Sequence, residues 1–340
     1  MKLRLTLAAA FLVLAFGGGY VWYRTHTPAP AAAAGSDSSS SGEVPPEEYV
    51  YVPEPHISLR INGTHKPAVS RGTPLLFSVR VANQQAINAA LLNRAHQIRW
   101  AALQEKLTQA KVRKEEVDAL SDSLHRDIPI KSVELGSDNV NWADSVRFMQ
   151  RMPDGKDVPL AWTLRKIGPD ADKKLTLDAT ATAELDFGAD PEEAAKLAPA
   201  DYVIVAVLEV ARDETFPSAL WRGRVESEPV TLKVQPESRK LTAAEAVATE
   251  LDYVSYFLAV HQGGAALAHA QKAVAANPND IDAHIAVGDC KATQDDVAGA
   301  LEAYEAALGQ YSRQQSDSYE RPTLLLSKIS DLRARLQPNE

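Results

Sequence analysis

The apolar residues of this chain change period at Pro236. Before it they alternate in short runs, and after it they recur every three to four residues. Such a switch commits the two stretches to different architectures: a period of two buries one face of a pleated strand, and a period near 3.6 buries one stripe of a helix. Residues 49–236 are therefore expected to form sheets, and residues 237–340 a helical domain. At 340 residues and 45% hydrophobic content, the chain can bury a core in each.

Within the first region Ile57, Leu59 and Ile61 alternate up to the turn dipeptide Asn62-Gly63, and Leu76, Ser78 and Arg80 resume the pattern. Further runs at residues 128–135, 145–152, 158–165, 175–187, 202–211 and 221–234 are separated by Gly, Pro, Asp and Asn. Seven or eight short strands of this kind predict an antiparallel β-sandwich. Two helical segments interrupt them. At about residues 86–126, Ile87, Leu91, Ile98, Ala102 and Leu103, then Val117, Leu120 and Leu124, predict an inserted helical hairpin. Asp190, Pro191 and Glu193 supply an N-cap, a first-turn proline and an acidic third residue for a brief helix.

In the helical end Thr242 and Glu245 form a capping-box signature. Ala266, Ala270 and Ala273 return 34 residues later as Ala300, Tyr304 and Ala307, and Pro278 stands at the junction ahead of Gly288. Thr293 and Asp296 read as a second capping box, and Leu325, Ile329, Leu332 and Leu336 form one stripe of a last helix over residues 322–336.

The spacing of Ala266, Ala270, Ala273, Pro278, Gly288, Ala300, Tyr304 and Ala307 resembles a tetratricopeptide repeat. That resemblance implies antiparallel helix pairs in which small residues allow close approach and the glycine admits a side chain of the facing helix. It also implies protein binding. One repeat, residues 281–309, fits well; in the one before it Val254 replaces the glycine, and Ser312 replaces the recurring proline. The runs at residues 202–206 and 221–234 look like the final hairpin of bacterial immunoglobulin-like domains, a likeness of pattern that brings no functional residues. The expected fold class is thus multidomain α and β: an immunoglobulin-like sandwich with a helical insertion, then a tetratricopeptide-like domain. A single good repeat falls short of the roughly three that make an independent solenoid, so the helical end must pack on the sandwich, dimerise or be completed by a partner.

At the amino end Lys2 and Arg4 precede an apolar run over residues 5–16, three glycines, then Tyr20, Val21, Trp22, Tyr23 and Arg24. Residues 1–24 read either as a cleaved signal peptide or as a signal anchor. The aromatic cluster ahead of Arg24 favours the anchor, a transmembrane helix of about 18 residues with Lys2 and Arg4 inside and the bulk in the periplasm or at the cell surface. Cleavage would instead give a secreted protein. No cysteine lies nearby to carry a lipid. Residues 25–48, rich in Pro, Ala and Ser, are expected to be a disordered linker.

Net charge of −9 leaves no basic field for nucleic acid. The single Cys290 allows neither an internal disulfide nor a thiolate metal set, and it reads as a buried thiol. His261 and His269 lie eight apart without a carboxylate motif, and His284 falls where such repeats place a packing residue. No Gly-x-Ser-x-Gly elbow is present, and Gly263-Gly264 lacks the lysine of a phosphate loop. The acid pairs Glu115-Glu116, Glu192-Glu193 and Asp295-Asp296 suit helix starts, and the sequon at Asn62 is accounted for by its turn. Trp100, Trp142, Trp162 and Trp221, with Tyr49 and Tyr51, divide between a sugar or peptide platform and core packing, and packing explains most of them. The sequence points to no catalytic residue, cofactor or metal. It leads to a non-enzymatic scaffold or adaptor that binds a protein partner or itself through the helices; the alternative is a carbohydrate- or surface-binding module using the sandwich.

Overall fold

The computed structural model describes residues 53–108, 130–136, 141–168, 173–210, 220–237, 239–314 and 320–336. The expected leader, linker and second insertion helix, with Tyr49, Tyr51, Glu115 and Glu116, lie outside them. The described residues form a β-sheet region followed by helices.

Strands β1 (Pro55–Ile61), β2 (Ala68–Ser70) and β3 (Leu75–Asn83) come first. β1 pairs antiparallel with β3. Asn62 and Gly63 both take positive φ, 49° and 73°, which the Asn-Gly pair adopts at low cost. The Asn62 side chain is buried, its Nδ2 donating to the Pro74 carbonyl and its Oδ1 accepting from the Leu76 amide, so the sequon amide is already engaged. The chain does not pass directly into β3, however. It first makes β2, which alternation did not reveal because three residues beside Pro67 show no period.

β4 (Val133–Leu135), a 3₁₀ turn (Trp142–Ser145), β5 (Val146–Arg151), β6 (Asp157–Pro159), β7 (Arg165–Ile167), β8 (Leu175–Leu177) and β9 (Thr182–Ala189) follow. A short helix, α2 (Pro191–Ala195), then leads to β10 (Ala200–Val210), β11 (Gly223–Glu226) and β12 (Val230–Gln235). Three runs that the sequence presents as single strands are each broken. Residues 158–165 divide between β6 and β7, which belong to different sheets. Residues 175–187 break at Asp178, whose Oδ1 accepts from the amides of Thr180 and Ala181. Residues 221–234 break at Ser227, where the amide donates to the Ala206 carbonyl and Oγ accepts from the Ala206 amide, so a side chain stands in for one rung of the ladder. Pro229, with no amide hydrogen, sits in the same break.

One sheet runs β1-β3-β9-β7, a second runs β2-β12-β10-β5-β6 with β11 also on β10, and β4 pairs with β8 in a small third one. Among the described residues the strand pairs are antiparallel except β2 with β12, which is parallel, as is an isolated bridge of Glu134 with Leu220; both depart from the all-antiparallel expectation. The two larger sheets feed one core: Ile57, Leu59, Phe77 and Val79 from the first meet Ile204, Leu208 and Leu232 from the second, with Val133, Leu135 and Leu177 of β4 and β8 beside them. Edge-to-face rings span it, with Phe77 5.4 Å from Phe148 and 5.9 Å from Trp162. Trp142 and Trp162 are buried in this core, and Trp221 is partly buried against it.

Helix α1 (Gln84–Thr108) grows straight out of β3. Asn83 makes the transition: its Oδ1 accepts from the amides of Gln85 and Ala86 as an N-cap, while Nδ2 donates to the carbonyls of Lys131 and Leu177. Asp190 caps α2 as expected, accepting from the Glu193 amide.

The helical end comprises α3 (Ala243–Ala259), α4 (Gly263–Ala276), α5 (Ile281–Thr293), α6 (Val297–Gln314) and α7 (Glu320–Leu336). The capping box at Thr242 and Glu245 is complete in both directions. The second one is not formed. Thr293 stays inside α5 and donates to the Cys290 carbonyl, and Asp296 itself caps α6 by accepting from the Gly299 amide. On α7, Leu325, Ile329 and Leu332 are buried, but Leu336 at the end of the stripe is 47% exposed. None of the described helices is long and apolar enough to cross a membrane.

Candidate functional site

The helices pack through their smallest residues. Ala266, Ala270 and Ala273 on α4, and Ala300 and Ala307 on α6, are completely buried, so these helices approach their neighbours backbone to backbone. Tyr304 projects from α6 into the space left by the missing side chain of Gly288 on α5. The Pro278 carbonyl, in the turn before α5, accepts from His284 Nε2 at 2.9 Å and from Gln310 Nε2 at 3.3 Å, which ties that turn to α6. His284 therefore holds a turn rather than an interhelical core. His261 and His269 do not share a helix face: His261 lies in the α3–α4 connection at φ 59°, and His269 lies on α4.

Beside Gly288, Asp289 is 3% exposed. Its Oδ1 accepts from the Tyr304 hydroxyl and lies 2.5 Å from Lys328 Nζ of α7, which stands 5.1 Å from the centre of the Tyr304 ring. One oxygen thus joins three helices. Burial, and then the Asp289 charge, hold the Tyr304 hydroxyl well above the usual phenol range. The same two causes push the Cys290 thiol up to about 12, which leaves essentially no nucleophilic thiolate at neutral pH.

Two tyrosines of α3 fasten the helices to the sheets. Tyr253 Oη donates to the Gly72 carbonyl in the β2–β3 turn at 2.9 Å. Its ring stacks 4.4 Å from the His269 ring, and His269 Nδ1 lies 2.6 Å from Glu250 Oε2. The Tyr256 ring lies over Gly188 of β9, where a Cβ would come within 2.8 Å of Tyr256 and 2.6 Å of Ile167. The sequence reading missed this joint. A glycine inside a strand is the one local sign of it, since such glycines mark a close approach of another element.

Next to the joint a cleft of about 590 Å³ opens between β7, the start of α2 and the α3–α4 connection. Arg165 lines one side, Asp190 and Glu192 another, and Tyr256, Phe257 and Gln262 the helical side. Burial raises the Tyr256 pKa, Asp190 raises it further and Arg165 opposes them, which places the ring within the field of both charges. Clefts at domain joints with a few polar groups over an aromatic wall are common binding sites. Among the described residues no group of three His, Cys, Asp or Glu is placed to hold a metal ion. No protein-family model matches this chain, and no curated protein matches it in sequence.

Proposed function

We propose that the chain is a non-enzymatic scaffold or adaptor that binds a protein partner through a tetratricopeptide-like helical domain. An immunoglobulin-like sandwich carries that domain, and an N-terminal anchor holds the whole outside the cytoplasmic membrane. The observation that carries this reading is the Gly288–Tyr304 fit among wholly buried alanines. Small-residue seams of this kind hold helix pairs rigidly and leave their outer faces available to a ligand. The cleft beside Tyr256 and Phe257 is a concavity at the joint of helices and sheet, so we place an extended segment of the partner there. The carbohydrate-binding alternative is weaker, because Trp142 and Trp162 are buried in the core and cannot form a sugar platform.

The test is a photo-crosslinking amino acid placed at Gln262 in the full chain in its native cells, with a control at Lys233 on the second sheet. A discrete adduct from position 262 alone supports the reading. Equal adducts from both positions, or none from position 262, overturn it. Accessibility of the folded part to protease in cells with a permeabilised outer layer, with the inner membrane intact, tests the topology.

A further inference from the structure

The outer face of the first sheet holds a second concavity, a groove of about 380 Å³ between β1, β3 and the first turns of α1. It is separate from the proposed partner cleft. The helical domain meets this sheet at Gly72 and Gly188, whereas the groove lies at the other end of β3, around Arg80 and Ala82. From Leu76, which pairs with Gly188, to Ala82 is roughly 20 Å along the strand.

The lining is unusual for this chain. Although net charge is −9, no carboxylate lines the groove. Its one permanent charge is Arg80, exposed and opposite Ser58 across the β1–β3 ladder. Arg80 has no ion pair or hydrogen bond among the described residues. Glu184 on β9 faces Arg80 across the β3–β9 ladder, and Arg60 on β1 stands diagonally beside it: Arg60 is pushed below the usual range by burial and then by Arg80, and Glu184 offsets part of that. Asp178, the acid beside the Thr180 end of the groove, has Oδ1 engaged by the amides of Thr180 and Ala181 and by the Thr180 hydroxyl. Arg60 and Arg80 thus share the one Glu184 carboxylate, which leaves positive charge in excess on the groove wall. Ser58 and Thr182 add hydroxyl donors beside it, and His56 is held by its Nδ1 contact to Gln84 Oε1 at 2.7 Å. The opposite wall, Ala86, Ile87 and Ala90 of α1, is apolar.

We propose that this groove binds a carboxylate with a short apolar tail. The planar guanidinium of Arg80 matches a carboxylate with two parallel hydrogen bonds, the hydroxyls complete the headgroup site, and the tail lies along the α1 wall. An arginine whose charge is only partly offset, by Glu184 across the ladder, suits one negative charge better than a doubly charged phosphate. The carboxylate is that of a peptide C-terminus or of a free short-chain acid.

Isothermal titration of the full chain in detergent separates these outcomes, using N-acetyl-alanyl-alanine, its C-terminal amide and butyrate. Saturable binding of the peptide acid, with the amide at least about tenfold weaker, is expected. Butyrate binding as tightly assigns the site to free acids, and peptide binding without butyrate assigns it to chain termini. Arg80→Gln is expected to weaken binding about tenfold. Ala90→Glu, which puts a negative charge on the apolar wall, is expected to do the same. Both positions are exposed, so the thermal melts should match wild type. Absence of saturable binding by either acid, equal binding of the amide, or unchanged affinity in Arg80→Gln overturns the proposal. Should either variant melt early, Arg80→Lys, which keeps the charge but loses the paired geometry, provides the reading: an intermediate affinity supports the proposal and a wild-type affinity overturns it.

Discussion

The Tyr304 ring fills the volume that a side chain on Gly288 would need, so α5 and α6 sit as close as a glycine permits. Replacing Gly288 by Ala sets two effects against each other. Helix propensity gains about 1 kcal/mol, and overpacking against a buried ring costs about 1–3 kcal/mol. Gly288→Ala is therefore expected to lower stability by about 1 kcal/mol. In a Tyr304→Leu background the overlap is gone, and the same change should become stabilising. Urea denaturation of the four proteins of this cycle measures the coupling. An equal loss in both backgrounds would show that Tyr304 is not what excludes a side chain at position 288.

Lys328 is the cation that accompanies the buried Asp289 carboxylate, and it comes from the last helix. Lys328→Met leaves that carboxylate with the Tyr304 hydroxyl alone, and a buried charge stripped of its counter-ion costs about 3 kcal/mol or more. The double change Asp289→Asn with Lys328→Met removes both charges and should recover most of the loss. Chemical denaturation monitored by helical circular dichroism reads both values. A single variant as stable as wild type would mean that α7 is held by Leu325, Ile329 and Leu332 without help from the ion pair.

What could be read from the sequence depended on whether a feature is written locally. The 34-residue return of Ala266, Ala270 and Ala273 fell on wholly buried positions because a helical seam imposes its own spacing on the chain. Thr242 and Glu245 were legible for the same reason, since a cap is a four-residue event. The three-residue strand β2 is too short to show alternation, β4 and β8 could be read only as parts of longer runs, and breaks at Asp178 and Ser227 lie inside apolar runs that look continuous. Arg80 entered the sequence reading only as a member of an alternating strand; that it faces outward with Arg60 and Glu184 beside it follows from burial and strand register. Packing on the sandwich stood as one of three options for the helical end, but the residues that make the joint were hidden. Tyr253 and Gly72 are 181 residues apart, and no periodicity links them.

Asp186 faces outward from β9 in a half-buried setting, accepting from Ser78 Oγ at 2.6 Å. Burial raises its pKa above the ordinary carboxylate value, and the Ser78 hydrogen bond only partly opposes that. A folded-state pKa above the unfolded one favours folding in acid and costs stability as pH rises through the folded value. Asp186→Asn, which keeps an acceptor for Ser78 without the charge, should be more stable than wild type at pH 7. The gap should close as pH falls towards about 3, below the unfolded carboxylate pKa. Melting curves of the pair from pH 3 to 8 test this; a gap that stays constant or widens in acid rules the account out.

Tyr256 fixes how the two domains behave as folding units. Its ring fits over Gly188 and beside Ile167, while Tyr253 adds one hydrogen bond to the Gly72 carbonyl. Tyr253→Phe should cost only about 1 kcal/mol, the net worth of one hydrogen bond. Tyr256→Ala removes the packing itself, and loss of a buried aromatic costs about 3–5 kcal/mol when the site cannot collapse. Much of that cost should fall on coupling rather than on either core, because the sheet core and the helical core are separate clusters. Scanning calorimetry is therefore expected to show one transition in wild type and two in Tyr256→Ala, the helical one at the lower temperature. The isolated fragment of residues 241–340, deprived of Gly188 and Gly72 altogether, should be poorly folded or self-associating. A monomeric fragment that melts cooperatively at the wild-type temperature would mean that the helices need neither the sheet nor a partner to complete their core.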